Sequence, residues 1–238
     1  MMRAVNDPVA PIWIRVPDGR PGPRPRHTLG EIADAALQIA DAEGLDGLSM
    51  RGVAGVLGTG PASLYRYVSS KTDLEDLMVD RIASEYVYPP LTGDARADVV
   101  AILDQLRAAH RRRPWLTAIR TTSLGPNGVR LLDRMVAALA PLETDAGSTM
   151  LGIALLSGWA MNFGAQESAS TGVDPSAGLA HLAALVNAER HPHLTALLAT
   201  ESASGRQPMD VEETFRRGVD SLIAGIGSVP PGQRLHDG

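Results

Sequence analysis

Residues able to grip a phosphate or a base edge crowd into the stretch GPASLYRYVSSKTDL, from Gly60 to Leu74. It holds Lys71, the only lysine among 22 Lys and Arg residues, and two of the chain's four tyrosines, Tyr65 and Tyr67, which flank Arg66. A tyrosine hydroxyl can donate to a phosphate oxygen, and an arginine presents a two-pronged donor edge that matches guanine. A lysine ammonium meets a phosphate as a point charge, with no fork geometry to satisfy. Pro61, Ala62 and Ser63 are small enough to let a backbone approach base edges. The chemistry on offer is recognition of a polyanion. The rival reading of an all-helical enzyme has no G-x-S-x-G, H-E-x-x-H, G-K-[ST] or carboxylate–histidine cluster to support it; a ligand-binding protein that does not act on DNA stays an alternative. A helical adaptor using the same turn for protein contacts is a third reading.

Charge is distributed to suit that role. The net charge is −5, with 27 Asp and Glu, which argues against a uniformly basic nucleic-acid binder. Yet Gly47 to Thr72 contains no acid and carries Arg51, Arg66 and Lys71. Ahead of it, the run RVPDGRPGPRPR sets Arg15, Arg20, Arg24 and Arg26 against Asp18 alone. A second acid-free window, Gln105 to Leu132, carries Arg107, Arg111, Arg112, Arg113, Arg120 and Arg130. The two windows compete for the role of anion-binding surface.

The elements that must position these residues are helical. The 238 residues are 44% apolar but only 4% aromatic, so Ala, Leu and Val fill the core, which favours helices over strands. No useful length alternates at period two, and the expected class is all-α. The absence of cysteine excludes disulfides and thiolate zinc sites. The opening MMRAVNDPVAPIWIRV lacks the layout of a signal peptide, so the expected location is cytoplasmic.

Residues 1–26, rich in Pro, Gly and Arg, read as a flexible arm that either enters a minor groove or stays a disordered tail. Thr28 and Glu31 form a capping box that opens a first helix, and Gly44 ends it. Ser49 caps a short second helix. Gly58 and Gly60 permit positive φ in the turn LGTGP, and Pro61 suits the first turn of a third helix, to about Val68. There Leu64 and Val68 point inward, while Pro61, Ala62, Ser63, Tyr65, Arg66 and Tyr67 stay outward. Ser70 with Asp73 caps a fourth helix, over 73–88, which Pro89 and Pro90 end. Two short helices joined by a glycine turn and braced by a longer one have helix-turn-helix geometry.

This run, EIADAALQIADAEGLDGLSMRGVAGVLGTGPASLYRYVSSKTDLEDLMVDRI, resembles the DNA-binding domain of the TetR family of bacterial transcriptional regulators. The G-x-x-x-L-Y-x-Y/H-x-x-x-K-x-x-L pattern from Gly60 to Leu74 carries the match. RRRPWL, SLGPNGVRLLDRM and LGIALLSGWAMNFGAQES resemble the family's tetracycline-repressor-like C-terminal class more loosely. The resemblance implies an N-terminal three-helix DNA-binding domain (27–72) and a C-terminal helical ligand-binding and dimerisation domain (73–228, its first helix connecting the two), then a tail (229–238). It implies a homodimeric regulator, most simply a repressor released from a near-palindromic operator by a small molecule.

It also implies that Lys71, at the start of the next helix, contacts a phosphate. Arg51, Gly60, Pro61, Ala62, Ser63, Tyr65, Arg66 and Tyr67 complete the expected DNA-binding set. Tyr65 could instead pack half-buried, and Arg51 is equally well a neutral surface residue. The expected ligand set is His110, Trp115, Met135, Trp159, Asn162, Phe163 and Gln166. The family's magnesium–tetracycline site uses a histidine; the corresponding IRTTSLGP offers Thr121 and Thr122, so no cofactor is implied.

The stretch AGSTMLGIALLSGWAMNFGAQ (146–166) carries no charge. Its length would permit a membrane span, but its polar residues and acidic flanks favour a helix buried on two sides, and no membrane partner is expected. Gly152, Gly158 and Gly164 would allow close helix approach. The resemblance makes this helix and the last one a four-helix dimer interface, with Gly152, Leu156, Trp159, Phe215, Val219, Leu222 and Ile226 facing the partner. Arg111, Arg112 and Arg113 sit at a helix end, where positive charge complements the dipole. A minority reading has them bind an anion or couple domains. His191 and His193 lack nearby carboxylates and read as surface residues rather than metal ligands.

Overall fold

The computed structural model describes residues 11–14, 26–121, 123–170, 175–204 and 210–227. Among them the structure is entirely helical: α1 Leu29–Gly47, α2 Met50–Val56, α3 Pro61–Leu64, α4 Lys71–Ala83, α5 Ala95–Arg112, α6 Pro126–Leu139, α7 Ala146–Ala169, α8 Pro175–Leu185, α9 Pro192–Ser204 and α10 Val211–Gly227. Three short 3-10 turns stand at Ile12–Ile14, Pro114–Ala118 and Ala140–Leu142.

Local sequence sets the boundaries of the first four helices. The Thr28 hydroxyl accepts from Glu31 N while the Glu31 carboxylate accepts from Thr28 N, closing the capping box. Gly44, at φ 74°, breaks the helical path inside α1. The Ser49 hydroxyl caps α2. At its other end Thr59 N donates to Ala54 O and Gly58 N to Gly55 O, with Gly58 at φ 64°. This paired termination needs a left-handed residue where Gly58 stands. Gly60 does not share that duty: its φ is −81°.

Two helix ends differ from expectation. The third helix proper stops at Leu64; Arg66 N and Tyr67 N then donate three residues back, to Ser63 O and Leu64 O, before Val68 N returns to Leu64 O. The tightened turn carries Val68 fully inward and frees Ser70 to cap α4. Helix α4 ends at Ala83, not at 88, because side chains elsewhere take up the backbone groups that follow. Gln105 brackets Val87, accepting from its N–H at 2.7 Å and donating to its carbonyl at 2.8 Å. Arg130 donates to Tyr86 O, and Arg134 to Pro89 O.

The expected flexible arm is in part a packed segment. Ile12 is 6% exposed and belongs to the core, and Trp13 packs beside it. Trp13 and Asp80 both crowd Gly125, leaving no room for a Cβ there. Residues 1–10 and 15–25 of the arm and the expected tail lie outside the described residues.

Helix α4 joins the two halves. One face packs on α1, where Arg81 Nε lies 2.7 Å from Asp34 Oδ1. The opposite side meets α6. Buried Asp80 accepts from Asn127 N, Asn127 Nδ2 and Gly128 N at 2.8–3.0 Å, and so caps a helix whose own N-cap, Gly125, has no side chain to do it. Asp76 accepts from the Ser123 hydroxyl at 2.9 Å. In the C-terminal half α5 runs against α7, and α10 closes on both.

Candidate nucleic-acid interface and ligand cavity

The helix-turn-helix face is built on two anchors. Leu64 is 1% and Val68 0% exposed, which turns the other side of this segment outward. Arg51, Gly60, Pro61, Ala62, Tyr65 and Arg66 are exposed, and Ser63 and Tyr67 half-buried. Tyr65 is 55% exposed, so it is not a packing tyrosine. Arg66 is steadied by the Ser63 hydroxyl at 3.2 Å. The Tyr67 hydroxyl accepts from Arg26 N at 3.0 Å, fixing the chain that enters α1 beside this face. Asp73, the nearest acid, is buried and accepts from Ser69 N and Oγ, so its charge is turned away from the surface. Lys71 is exposed, and its Nζ donates to Leu45 O at 2.9 Å, just beyond the break at Gly44. An ammonium has three donors, so two remain for another acceptor.

A cavity of about 460 Å³ opens in the C-terminal half. Val79, Ile82 and Tyr86 form one wall, Leu106 and His110 of α5 another, and Ser157, Gly158, Met161 and Asn162 of α7 a third. Leu116, Thr117, Ile119, Arg120 and Thr121 border it, with Leu124, Gly128 and Leu131 beyond. Size and largely apolar lining are those of a small-molecule site. His110 Nδ1 lies 3.0 Å from Leu106 O, so Nδ1 carries the proton and Nε2 is the acceptor of the neutral ring. Burial lowers the pKa of this imidazole, which favours that neutral form. Burial likewise raises the pKa of the Tyr86 phenol.

Of the expected ligand residues, His110 and Asn162 line this cavity. The other five do not. Met135 is buried in the core, and Gln166 donates to Asn162 Oδ1. Trp159 and Phe163 stack in a chain with Phe215, at centroid separations of 5.2 and 5.3 Å, on the α10 side of α7. Trp115 donates to Asp41 Oδ1 of α1 at 3.2 Å. A helix apolar all round does not reveal its rotation, and the aromatic face of α7 turned out to be its packing face. Of the missed walls, the segment after Pro114 had one usable signal, the acid-free window; the wall on α4, a helix that carries Asp73, Glu75, Asp76 and Asp80, had none.

Most of the expected partner-facing residues are packed inside their own subunit. Gly152, Leu156, Phe215, Val219 and Ile226 are buried within the subunit. An added Cβ on Gly152 would sit 2.7 Å from Ile226. Trp159 packs on Gly218 and donates to Phe215 O, and Leu222 is half-buried against the core. The outward face of α7 instead shows Met150, Leu151 and Leu155, at 49%, 59% and 47% exposure. Gly164 lies against the backbone of Arg107, whereas Gly158 has open space beside it.

The second basic window resolves into structural ties. Arg107 pairs with Glu167 at 2.7 Å and Glu212 at 2.6 Å and lies over the rings of Phe163 and Phe215. Arg113 reaches Asp41 at 3.0 Å, so the minority reading of domain coupling describes it better than helix-dipole complementation. Arg112 lies 3.7 Å from Glu85. His191 and His193 are exposed, and among the described residues no group of three metal-ligating side chains forms. No described helix is long and apolar enough to cross a membrane.

Residues 32–76 match the family model described as bacterial regulatory proteins, tetR family, and residues 89–229 match the tetracyclin repressor-like C-terminal domain. The chain is 34% identical over 224 residues to the HTH-type transcriptional repressor DrrR1 of Streptomyces coeruleorubidus, covering 91% of this chain and 78% of that one. The crystal structure of the Streptomyces coelicolor protein ActR in complex with (S)-DNPA superposes with a TM-score of 0.69 at 30% identity, over 84% of this chain and 96% of that one. A second ActR structure, in complex with actinorhodin, gives a TM-score of 0.69 at 29% identity, over 84% and 95%.

Proposed function

The chain belongs to the TetR family of bacterial transcriptional regulators, with a DNA-binding helix-turn-helix, and from that premise we propose a homodimeric repressor that a small molecule releases from its operator. The observation that carries this reading is the inward turn of Leu64 and Val68, which leaves an acid-free face of Tyr65, Arg66 and Lys71 outward. Tyr65 and Lys71 hold phosphates, and Arg66 reads a base edge from the major groove. Tyr67, tied to Arg26, supports the entering chain and keeps its own hydroxyl proton to donate to a backbone phosphate.

Two such faces on one duplex need a two-fold partner. The exposed Met150, Leu151 and Leu155 of α7 supply an apolar surface for it. The cavity takes the effector; ActR, with its bound (S)-DNPA, supports this by analogy. Effector binding favours a subunit arrangement whose two faces no longer match the half-site spacing, which requires tighter binding to that arrangement.

Binding-site selection with the purified protein tests the core of the proposal. A near-palindrome is expected, with half-site centres about one helical turn or a multiple apart. Enrichment of single, unpaired half-sites, or of nothing, overturns it. Leu155→Arg is expected to give a monomer by sedimentation velocity.

A further inference from the structure

The cavity contains one charged lining residue, Arg120, and no acid, in a chain with more acids than bases. The structure accounts for most of the surrounding basic window. Arg107 and Arg113 hold carboxylates, Arg112 approaches Glu85, and Arg130 donates to Tyr86 O while stacking on Tyr88. Arg120 lines the cavity, is exposed at its border, and has no hydrogen-bond or ion-pair partner among the described residues. Deeper in, His110 Nδ1 is committed to Leu106 O, which leaves Nε2 as an acceptor without a partner among those residues.

Gly158 adds a third observation. It stands within the long helix α7, where glycine costs about 1 kcal/mol relative to alanine. No neighbouring atom lies within 4 Å of an added Cβ, so helix packing does not require glycine there. Its absent side chain leaves room in the cavity, which Gly158 lines.

We infer that the effector is an acidic amphiphile: a compact apolar body held against Ile82, Leu116 and Met161, an anionic group paired with Arg120, and a hydroxyl that donates to His110 Nε2. This rests on the reading that the cavity is the effector site. An anion paired with Arg120 at the border of a largely apolar site gains a charge-assisted hydrogen bond, and a neutral analogue forgoes it. An inward-facing carboxylate would lack a cation, because no other charge lines the walls.

Isothermal titration of the full chain with three probes tests this: 6-hydroxy-2-naphthoate, its methyl ester and 2-naphthoate. The hydroxy acid is expected to bind about tenfold tighter than the ester, and Arg120→Gln to abolish that preference. His110→Phe is expected to abolish the preference for the hydroxy acid over 2-naphthoate. Gly158→Phe, whose Cβ meets no neighbouring atom and whose ring adds bulk at the cavity wall, is expected to block all three. Equal binding of acid and ester, lost in Gly158→Phe, overturns the acidic-effector inference and leaves the cavity as the effector site. Binding that survives Gly158→Phe, or no binding of any probe to the wild-type chain, overturns both.

Discussion

Gly164 of α7 rests against the backbone carbonyl of Arg107 in α5, with no space for a Cβ between them. Six residues earlier in the same helix, Gly158 faces open space. Gly164→Ala is therefore expected to destabilise by about 1–3 kcal/mol, because backbone must shift to admit the methyl group. Gly158→Ala is expected to be neutral or to stabilise by up to about 1 kcal/mol through helix propensity. Chemical denaturation of the two variants side by side checks this, and equal effects would mean that the rotation of α7 is wrong.

The Arg107 side chain joins three helices, pairing with Glu167 of α7 and Glu212 of α10. The Arg107 hydrogen bond holds Glu212 below its ordinary carboxyl pKa of 4.5, with Arg216 adding to the effect. A depressed carboxyl pKa contributes stability that is fully present above the unfolded value. It is lost as pH falls through the folded one. Urea melts from neutral pH down to about pH 3 should therefore show an acid-side loss of stability that Glu212→Gln makes shallower. An unchanged acid limb would separate Glu212 from Arg107 in solution.

Leu64→Ala should cost about 2–5 kcal/mol, since Leu64 is 1% exposed and its removal leaves a cavity under α3. Thermal melts read this directly. An unaltered melting curve would mean that this helix is misoriented, and the outward face of Tyr65 and Arg66 with it.

The DNA-binding half was the more legible because its signals are local. Thr28 with Glu31, Ser49, and Ser70 with Asp73 mark helix starts through contacts three residues apart, and Gly58 marks an end through its own φ. The C-terminal half depends on long-range choices. The end of α4 is set by Gln105, Arg130 and Arg134, which no local pattern announces. Helix α7 is apolar all round, so composition could not say whether Trp159 and Phe163 face the cavity or α10. The burial of Ile12 was hidden by the Pro- and Arg-rich sequence that follows it.

Asp41 of α1 accepts from both Arg113 Nε and Trp115 Nε1, the two residues on either side of Pro114. The same segment borders the cavity through Leu116 and Thr117. Asp41 thus ties the DNA-binding half to a cavity wall. The Asp41 side chain is 40% exposed, so the pair itself adds little stability, about 0–1 kcal/mol. Asp41→Asn is expected to leave the melting temperature nearly unchanged and to weaken operator binding about fivefold, by loosening the orientation of the reading face. Fluorescence anisotropy on the selected operator measures it, and wild-type affinity would place domain coupling elsewhere, at Asp80 and Asn127.

Lys71 has one acceptor within the protein, and the proposed phosphate would be a second. Its Nζ donates to Leu45 O in the free protein, which keeps the ammonium close to the end of α1 and limits the freedom of a long side chain. Two of its three donors stay available, so this tether can orient the charge toward a phosphate rather than consume it. If Lys71 meets a phosphate, Lys71→Gln should weaken binding to every duplex alike and lower the salt slope of log affinity by about one. Because Lys71 is exposed, the melting temperature should move little. A purely structural lysine predicts the reverse: a lower melting temperature and an unchanged slope. Operator titrations at several salt concentrations, paired with thermal melts, separate the two.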